Sequence, residues 1–216
     1  MEKFEVELAG GQRLILWKMD LKGAFNLLRV APASVHLWAF LLTGGFTMLF
    51  PSGCFGWTNW PHAFGVITGC LETAIASVVR GFNKAYVDDF MGCCLEKNLE
   101  HDMAAAKGVF HLLLGEGSVA EEKSVCGRKL TWIGWEVDLD DDAGVGIGSS
   151  LLAKALYVFF SVNPEKVVRR DMEKLASYAA RFSLVFPELK PFVGTLYTAY
   201  KGRDRHVTFS LRSVCC

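Results

Sequence analysis

The sequence predicts an α+β chain: a mixed β-α unit, a hairpin, and then three helices. Three observations carry that reading. Apolar runs of strand length alternate with helical stretches across residues 14–147. Within them, Leu99, Met103, Ala106, Phe110 and Leu113 recur at steps of 4, 3, 4 and 3, which keeps them on one helical face. The charge also changes sign where the last helices begin. Met1–Ser149 carries 12 basic and 18 acidic residues, a net of −6, and Ser150–Cys216 carries 11 basic and 5 acidic, a net of +6. The chain is therefore expected to divide into 1–149 and 150–216, an acidic part suited to metal ions and a basic part suited to phosphates.

In chain order, Leu14–Met19 is a short apolar run ending at Asp20, fit for a buried strand. Leu21–Val30 reads as a short helix turning extended before Pro32. Leu37–Leu42 and Phe46–Phe50 flank Gly44-Gly45 as a hairpin. Pro51–Thr58 is a Gly-rich loop, and Trp60–Val79 a helix with Pro61 in its first turn. Lys84–Val87, Asp88-Asp89 and Phe90–Leu95 read as strand, acidic turn and strand. Asn98–Leu114 is an amphipathic helix that Asn98 can cap at its start and Gly115 at its end. Lys129–Asp138 reads as a strand, followed by a turn at residues 140–144 and a second strand, Val145–Ile147. Ser150–Val162, Glu165–Val185 and Glu188–Tyr200 are helical, the second with Val168, Met172, Leu175, Ala179 and Phe182 as its stripe.

Composition excludes several classes. At 51% hydrophobic and 21% charged residues the chain buries a core, so wholesale disorder is excluded. With 23 Lys plus Arg against 23 Asp plus Glu, a uniformly basic nucleic-acid coat is excluded, though not a local patch. Seven cysteines, an odd number with no C-x-x-C pair, favour neither a disulfide scaffold nor a zinc site and suit a reducing compartment. The charged start Met1-Glu2-Lys3-Phe4-Glu5 is unlike a signal peptide, so an intracellular setting, cytoplasmic or nuclear and not secreted, is expected. Ala31–Leu71 lacks Lys, Arg, Asp and Glu, but its most apolar part, Val35–Phe50, is shorter than the ~20 residues a spanning helix needs. No membrane association is expected.

The chemistry concentrates in three aspartates. Asp88 and Asp89 stand at a tight turn between apolar strands, which taken alone is an ordinary solvated turn. Asp20 ends the first buried run. If that strand neighbours Lys84–Val87, three carboxylates share one sheet end and repel one another unless cations lie between them. Oxygen ligands of this kind suit Mg²⁺, and two such ions about 3.5–4 Å apart form the clamp of in-line phosphoryl transfer. Phe25 could be a plain core aromatic, and the loop Phe50-Pro51-Ser52-Gly53 a plain turn or a place where backbone approaches a ligand.

These segments resemble a family. Lys18-Met19-Asp20-Leu21-Lys22-Gly23-Ala24-Phe25 is similar to motif A of reverse transcriptases, and Phe50-Pro51-Ser52-Gly53 before an aromatic-rich helix to motif B. Tyr86-Val87-Asp88-Asp89 resembles motif C, and Glu122-Lys123-Ser124 before Leu130-Thr131-Trp132-Ile133-Gly134-Trp135 resembles motif D running into motif E. Phe186-Pro187-Glu188-Leu189-Lys190-Pro191-Phe192 with Leu196-Tyr197 looks like the region after the thumb in DIRS-type elements. The resemblance runs from about Leu14 to Arg205 and is to retrotransposon enzymes, LTR-like or DIRS-type.

The resemblance implies a polymerase palm, an antiparallel sheet with helices on one face, over residues 1–149, with partial fingers and a primer-grip hairpin. Residues 150–216 would form a thumb- or connection-like unit. The implied activity is RNA-directed DNA synthesis. Asp20, Asp88 and Asp89 would make up the catalytic metal site, Asp20 and Asp88 ligating two Mg²⁺ ions (Mn²⁺ being an alternative) with Asp89 close by, helped by the Leu21 carbonyl. Phe25 would be the steric gate against ribonucleotides, Gly53 would let the loop approach the template base or the dNTP, and Lys123 would protonate pyrophosphate; a surface lysine is the other reading of Lys123. Trp132 would belong to the primer grip or simply pack. Lys166, Arg170, Lys174 and Arg181, at steps of 4, 4 and 7, would share one face along duplex phosphates or form a solvated helix face. Partners would be an RNA or DNA template with primer, a dNTP, and the rest of a polyprotein bearing ribonuclease H, recombinase or integrase. The sequence departs from the pattern at its start, since only 19 residues precede Asp20 and most of the fingers are expected to be missing. The competing readings are a catalytically inactive remnant that at most binds nucleic acid, and an RNA-directed RNA polymerase, against which the aromatic Phe25 speaks.

Overall fold

The structure, a computed structural model, describes residues 12–53, 60–140, 144–201 and 208–209. It forms two compact units. The first comprises Met1–Ile133 and Leu139–Asp141, the second Gly134–Asp138 and Asp142–Cys216.

The first unit is built on a four-stranded antiparallel sheet. Its strands are β1 (Leu14–Asp20), β4 (Phe82–Tyr86), β5 (Asp89–Leu95) and β6 (Val125–Gly127), in the order β4-β5-β1-β6. Between β1 and β4 lie a one-turn helix α1 (Ala24–Leu27), a small hairpin of β2 (Ala39–Leu41) and β3 (Thr47–Leu49), and the long helix α2 (Trp60–Val78). Helix α3 (Leu99–Leu114) follows β5. Strand β7 (Lys129–Trp132) follows β6.

Residue alternation explains the layering. Ile15, Trp17 and Met19 of β1 point to one face, opposite Cys94, Gly92 and Phe90 of β5. That face packs against Phe64, Leu71 and Ile75 of α2 and Ala106 and Phe110 of α3. Each fully buried aromatic there contributes about 2 kcal/mol of transfer free energy. Glycine at 92 is a steric necessity, because a Cβ there would lie 2.1 Å from the Trp17 ring. Lys18 and Asp20 point the other way, as does Asp89. The sheet thus separates a face that holds the helices from one that carries Lys18, Asp20 and Asp89 beside the buried Leu16 and Leu95. Cys94, on the core side, has its thiol pushed up to about 12, chiefly by burial and then by the Asp102 charge.

Several expectations are corrected. The strand beside Asp20 is β5, after the acidic turn, and not the strand before it. That earlier strand ends at Tyr86, because Val87 takes φ 57 and turns the chain. The hairpin strands are shorter than expected, since Pro32–Trp38 winds as a 3-10 helix. The expected loop at residues 54–58 lies outside the described residues. Asn98 makes no side-chain cap to α3, and its Oδ1 accepts from Arg80 at 3.3 Å. Leu113 is 55% exposed, and Leu114 takes the packing position.

The second unit holds the hairpin of β8 (Trp135–Asp138) and β9 (Gly144–Ile147), then α4 (Ser149–Ser161), β10 (Val167–Val168), α5 (Arg169–Phe182), α6 (Lys190–Tyr200) and β11 (Thr208–Phe209). The single strand expected over Lys129–Asp138 is broken at Ile133 and Gly134, both at positive φ. Val167 and Val168, β-branched and extended, pair with Phe209 and Thr208, so the helix begins at Arg169 and not at Glu165. Val167, Met172 and Ala199 form the core, with Leu175, Leu196 and Tyr200 packed against it.

Candidate active site

The site forms where β1 ends and the β4–β5 turn begins. Asp20 and Asp89 are direct partners across the two strands. Asp88 occupies the two-residue turn with Val87, between the paired Tyr86 and Asp89. The Leu21 amide donates to the Asp88 carbonyl at 2.9 Å, which ties the residue after Asp20 to the turn. Leu21 itself is buried. A β-branched residue at positive φ is strained. Thr68 holds that strain in place, its hydroxyl donating to the Val87 carbonyl at 2.7 Å.

The electrostatics follow from the crowding. Burial, and then the charges of Asp20 and Asp89, raise the Asp88 pKa above its ordinary 3.8, although its own backbone hydrogen bond and Lys123 pull the other way. Lys123 Nζ donates to Asp20 Oδ2 at 3.2 Å. That hydrogen bond, and the Asp20 charge with it, raises the lysine above its ordinary 10.5. Lys18 Nζ lies 3.0 Å from Asp89 Oδ1. Two lysines therefore face three carboxylates. Asp20 Oδ1 is buried and has no hydrogen-bond partner among the described residues, an arrangement that costs free energy unless a cation or donor meets it.

Among the described residues no three His, Cys, Asp or Glu side chains are placed to hold one ion by themselves. The donor set that is present fits a different arrangement. Mg²⁺ takes one or two carboxylates and completes its shell with phosphate oxygens and water. The carboxylates of Asp20 and Asp88, one of them with an unsatisfied buried oxygen, could supply that share.

Phe25, on α1, is 7% exposed and meets Phe64 edge-on at 5.5 Å between centroids. Gly53 is buried, and its bare side faces the Trp60 indole, where a Cβ would lie 1.3 Å from Nε1. Its lack of a side chain thus serves packing against Trp60. Trp132 is half-buried on β7, its Nε1 covered and without a hydrogen-bond partner among the described residues. The basic residues lie in the second unit. Lys166 precedes α5 and so does not share its face with the others. Arg170 and Lys174 are exposed on α5, the latter 3.3 Å from Asp171. The Arg181 guanidinium lies over the Trp135 ring, 5.7 Å from its centroid.

Sequence reasoning missed Lys18, Thr68 and Trp60. Lys18 was legible in principle, since a lysine two residues before Asp20 must share its face. Asp102 was also missed. It is fully buried and accepts the Arg80 and Gly81 amides, each at 2.9 Å, so it anchors the start of β4.

The chain is similar to solved structures of the foamy viral protease-reverse transcriptase. Against its dRH form in complex with double-stranded DNA the TM-score is 0.63 at 19% identity, covering 90% of this chain and 32% of that one. The complex with double-stranded DNA gives 0.60 at 18% identity, with 93% and 40% covered. The complex with an RNA/DNA hybrid gives 0.58 at 20% identity, with 84% and 24% covered. The fold is reverse-transcriptase-like. The chain spans less than half the length of these reverse transcriptases. No protein-family model and no curated protein sequence matches the chain. Among the described residues no helix is long and apolar enough to cross a membrane.

Proposed function

We propose that this chain carries the catalytic palm of an RNA-directed DNA polymerase from a retroelement, with a thumb-like second unit. The observation that supports it most is the register of Asp20 against Asp89, with Asp88 in the turn between strands. In this reading the primer 3′-hydroxyl gives up its proton to solvent, its oxygen bonds to the α-phosphorus of a dNTP, and the bond to the departing pyrophosphate breaks. Mg²⁺, when bound, supplies acidity at the 3′-hydroxyl and neutralises the triphosphate. Asp20 and Asp88 would hold it, with Mn²⁺ as a substitute. Asp89, 3.0 Å from Lys18, would complete the metal site beside them. The Lys123 ammonium, held 3.2 Å from Asp20, would give its proton to the departing pyrophosphate. The Phe25 ring closes the space a 2′-hydroxyl would need. Arg170 and Lys174, with Lys166 before the helix, meet phosphates of the template and primer, and the setting is intracellular.

The test is extension of oligo(dT) on poly(rA) with dTTP and Mg²⁺, beside a chain carrying Asp88→Asn and Asp89→Asn. Extension by the wild type that disappears in the variant supports the proposal. Folded wild type that retains a primer-template but never extends it leaves the competing reading, a nucleic-acid-binding remnant.

A further inference from the structure

Helix α2 carries Trp60, Phe64 and Thr68 at steps of four, so the three share one face. Each touches a different part of the site. Trp60 Nε1 donates to the Phe25 carbonyl at 3.3 Å. Phe64 packs edge-on against the Phe25 ring, and Thr68 holds the Val87 carbonyl. The element that carries Phe25 cannot hold itself. α1 is four residues long, starts at Gly23 with φ 60, and has no side-chain cap; an isolated helix of that length is unstable in water. Its restraint comes from outside. Trp60 is wedged on the other side by Gly53, whose amide donates to Leu28 just past α1 at 3.0 Å, and by an edge contact to Trp38 at 6.3 Å.

We propose that Trp60 is a positioning residue for sugar selection. It fixes the backbone under Phe25, so that the ring stays where a 2′-hydroxyl would lie. The inference rests on the polymerase reading. It adds that selectivity depends on an indole N–H that never meets the nucleotide.

The experiment is single-nucleotide incorporation on a DNA primer and RNA template, with kcat/KM measured for dTTP and for UTP. Trp60→Phe keeps an aromatic ring and removes the donor. It is expected to lower the dTTP:UTP preference about 3–10-fold, the worth of one hydrogen bond. Trp60→His restores a ring N–H and should recover part of the preference. Gly53→Ala, whose methyl displaces the indole, should also lower the preference. An unchanged preference in Trp60→Phe overturns the inference alone. So does an equal loss for both nucleotides, the mark of a merely structural role. A folded wild type that incorporates neither nucleotide overturns the polymerase reading and this inference together.

Discussion

At Asp88, burial and two neighbouring carboxylates act in the same direction. The folded chain therefore binds this proton more tightly than the unfolded chain does. The sign follows from linkage. Below 3.8 both states are protonated and Asp88 contributes nothing; as pH rises through 3.8 to the raised value the unfolded chain ionises first, and the fold loses stability. Partial exposure screens the effect, so it is small. Asp88→Asn is accordingly expected to melt higher than wild type at pH 7 without divalent cations, with the gap shrinking toward pH 4 and with Mg²⁺ stabilising wild type more than the variant. Thermal melts across pH, with and without Mg²⁺, check this. Lys123 works in the opposite sense. Its raised value gives the fold a contribution present below 10.5 and lost as pH climbs through the folded value. If it is the acid for pyrophosphate, Lys123→Ala should lower kcat about 10²-fold or more while primer-template affinity stays put, a split that rapid-quench kinetics and a binding titration resolve.

Helix α2 and strand β5 are the elements on which the site depends. Thr68→Val keeps the shape and removes the hydroxyl that meets the strained Val87 carbonyl. It should cost about 1–3 kcal/mol and lower kcat, as denaturation and kinetics together would show. Gly92→Ala sets a methyl into the Trp17 ring. It should destabilise by about 1–3 kcal/mol or more through overpacking, measured by the denaturation midpoint. Elements were legible where periodicity alone decides them: β1, β5, α2 and α3 stand close to where the apolar spacing puts them. The start of α5 was not legible, because Val167 and Val168 answer to a distant strand partner, Thr208–Phe209, that no local pattern announces. Lys166 left the helix for that reason. The three aspartates were legible as a set, but their order across the sheet was not. Register depends on pairing partners, and the spacing is equally consistent with either neighbour of the turn.

The whole molecule presents one sharp contrast. The first unit packs its helices on one face of the sheet, while the 3-10 segment Pro32–Trp38 and the β2–β3 hairpin after it expose Leu37, Leu41 and Phe46, at 69%, 78% and 73%. The charge-free stretch that raised the question of a membrane in the sequence is largely this hairpin and α2. Apolar residues exposed together lower solubility. Leu41→Lys with Phe46→Lys should raise the concentration at which the chain stays monodisperse, as sedimentation velocity would show, without changing its circular dichroism. The most direct measurement is the single-turnover rate of one dTTP added to a bound primer as Mg²⁺ is titrated, for wild type and for Asp20→Asn. If the Asp20–Asp88–Asp89 end is catalytic, the rate saturates with Mg²⁺ in wild type and falls by about 10²–10³-fold or more in the variant, with primer-template still bound. Incorporation by Asp20→Asn at the wild-type rate, or none by wild type that holds the primer-template, would contradict it.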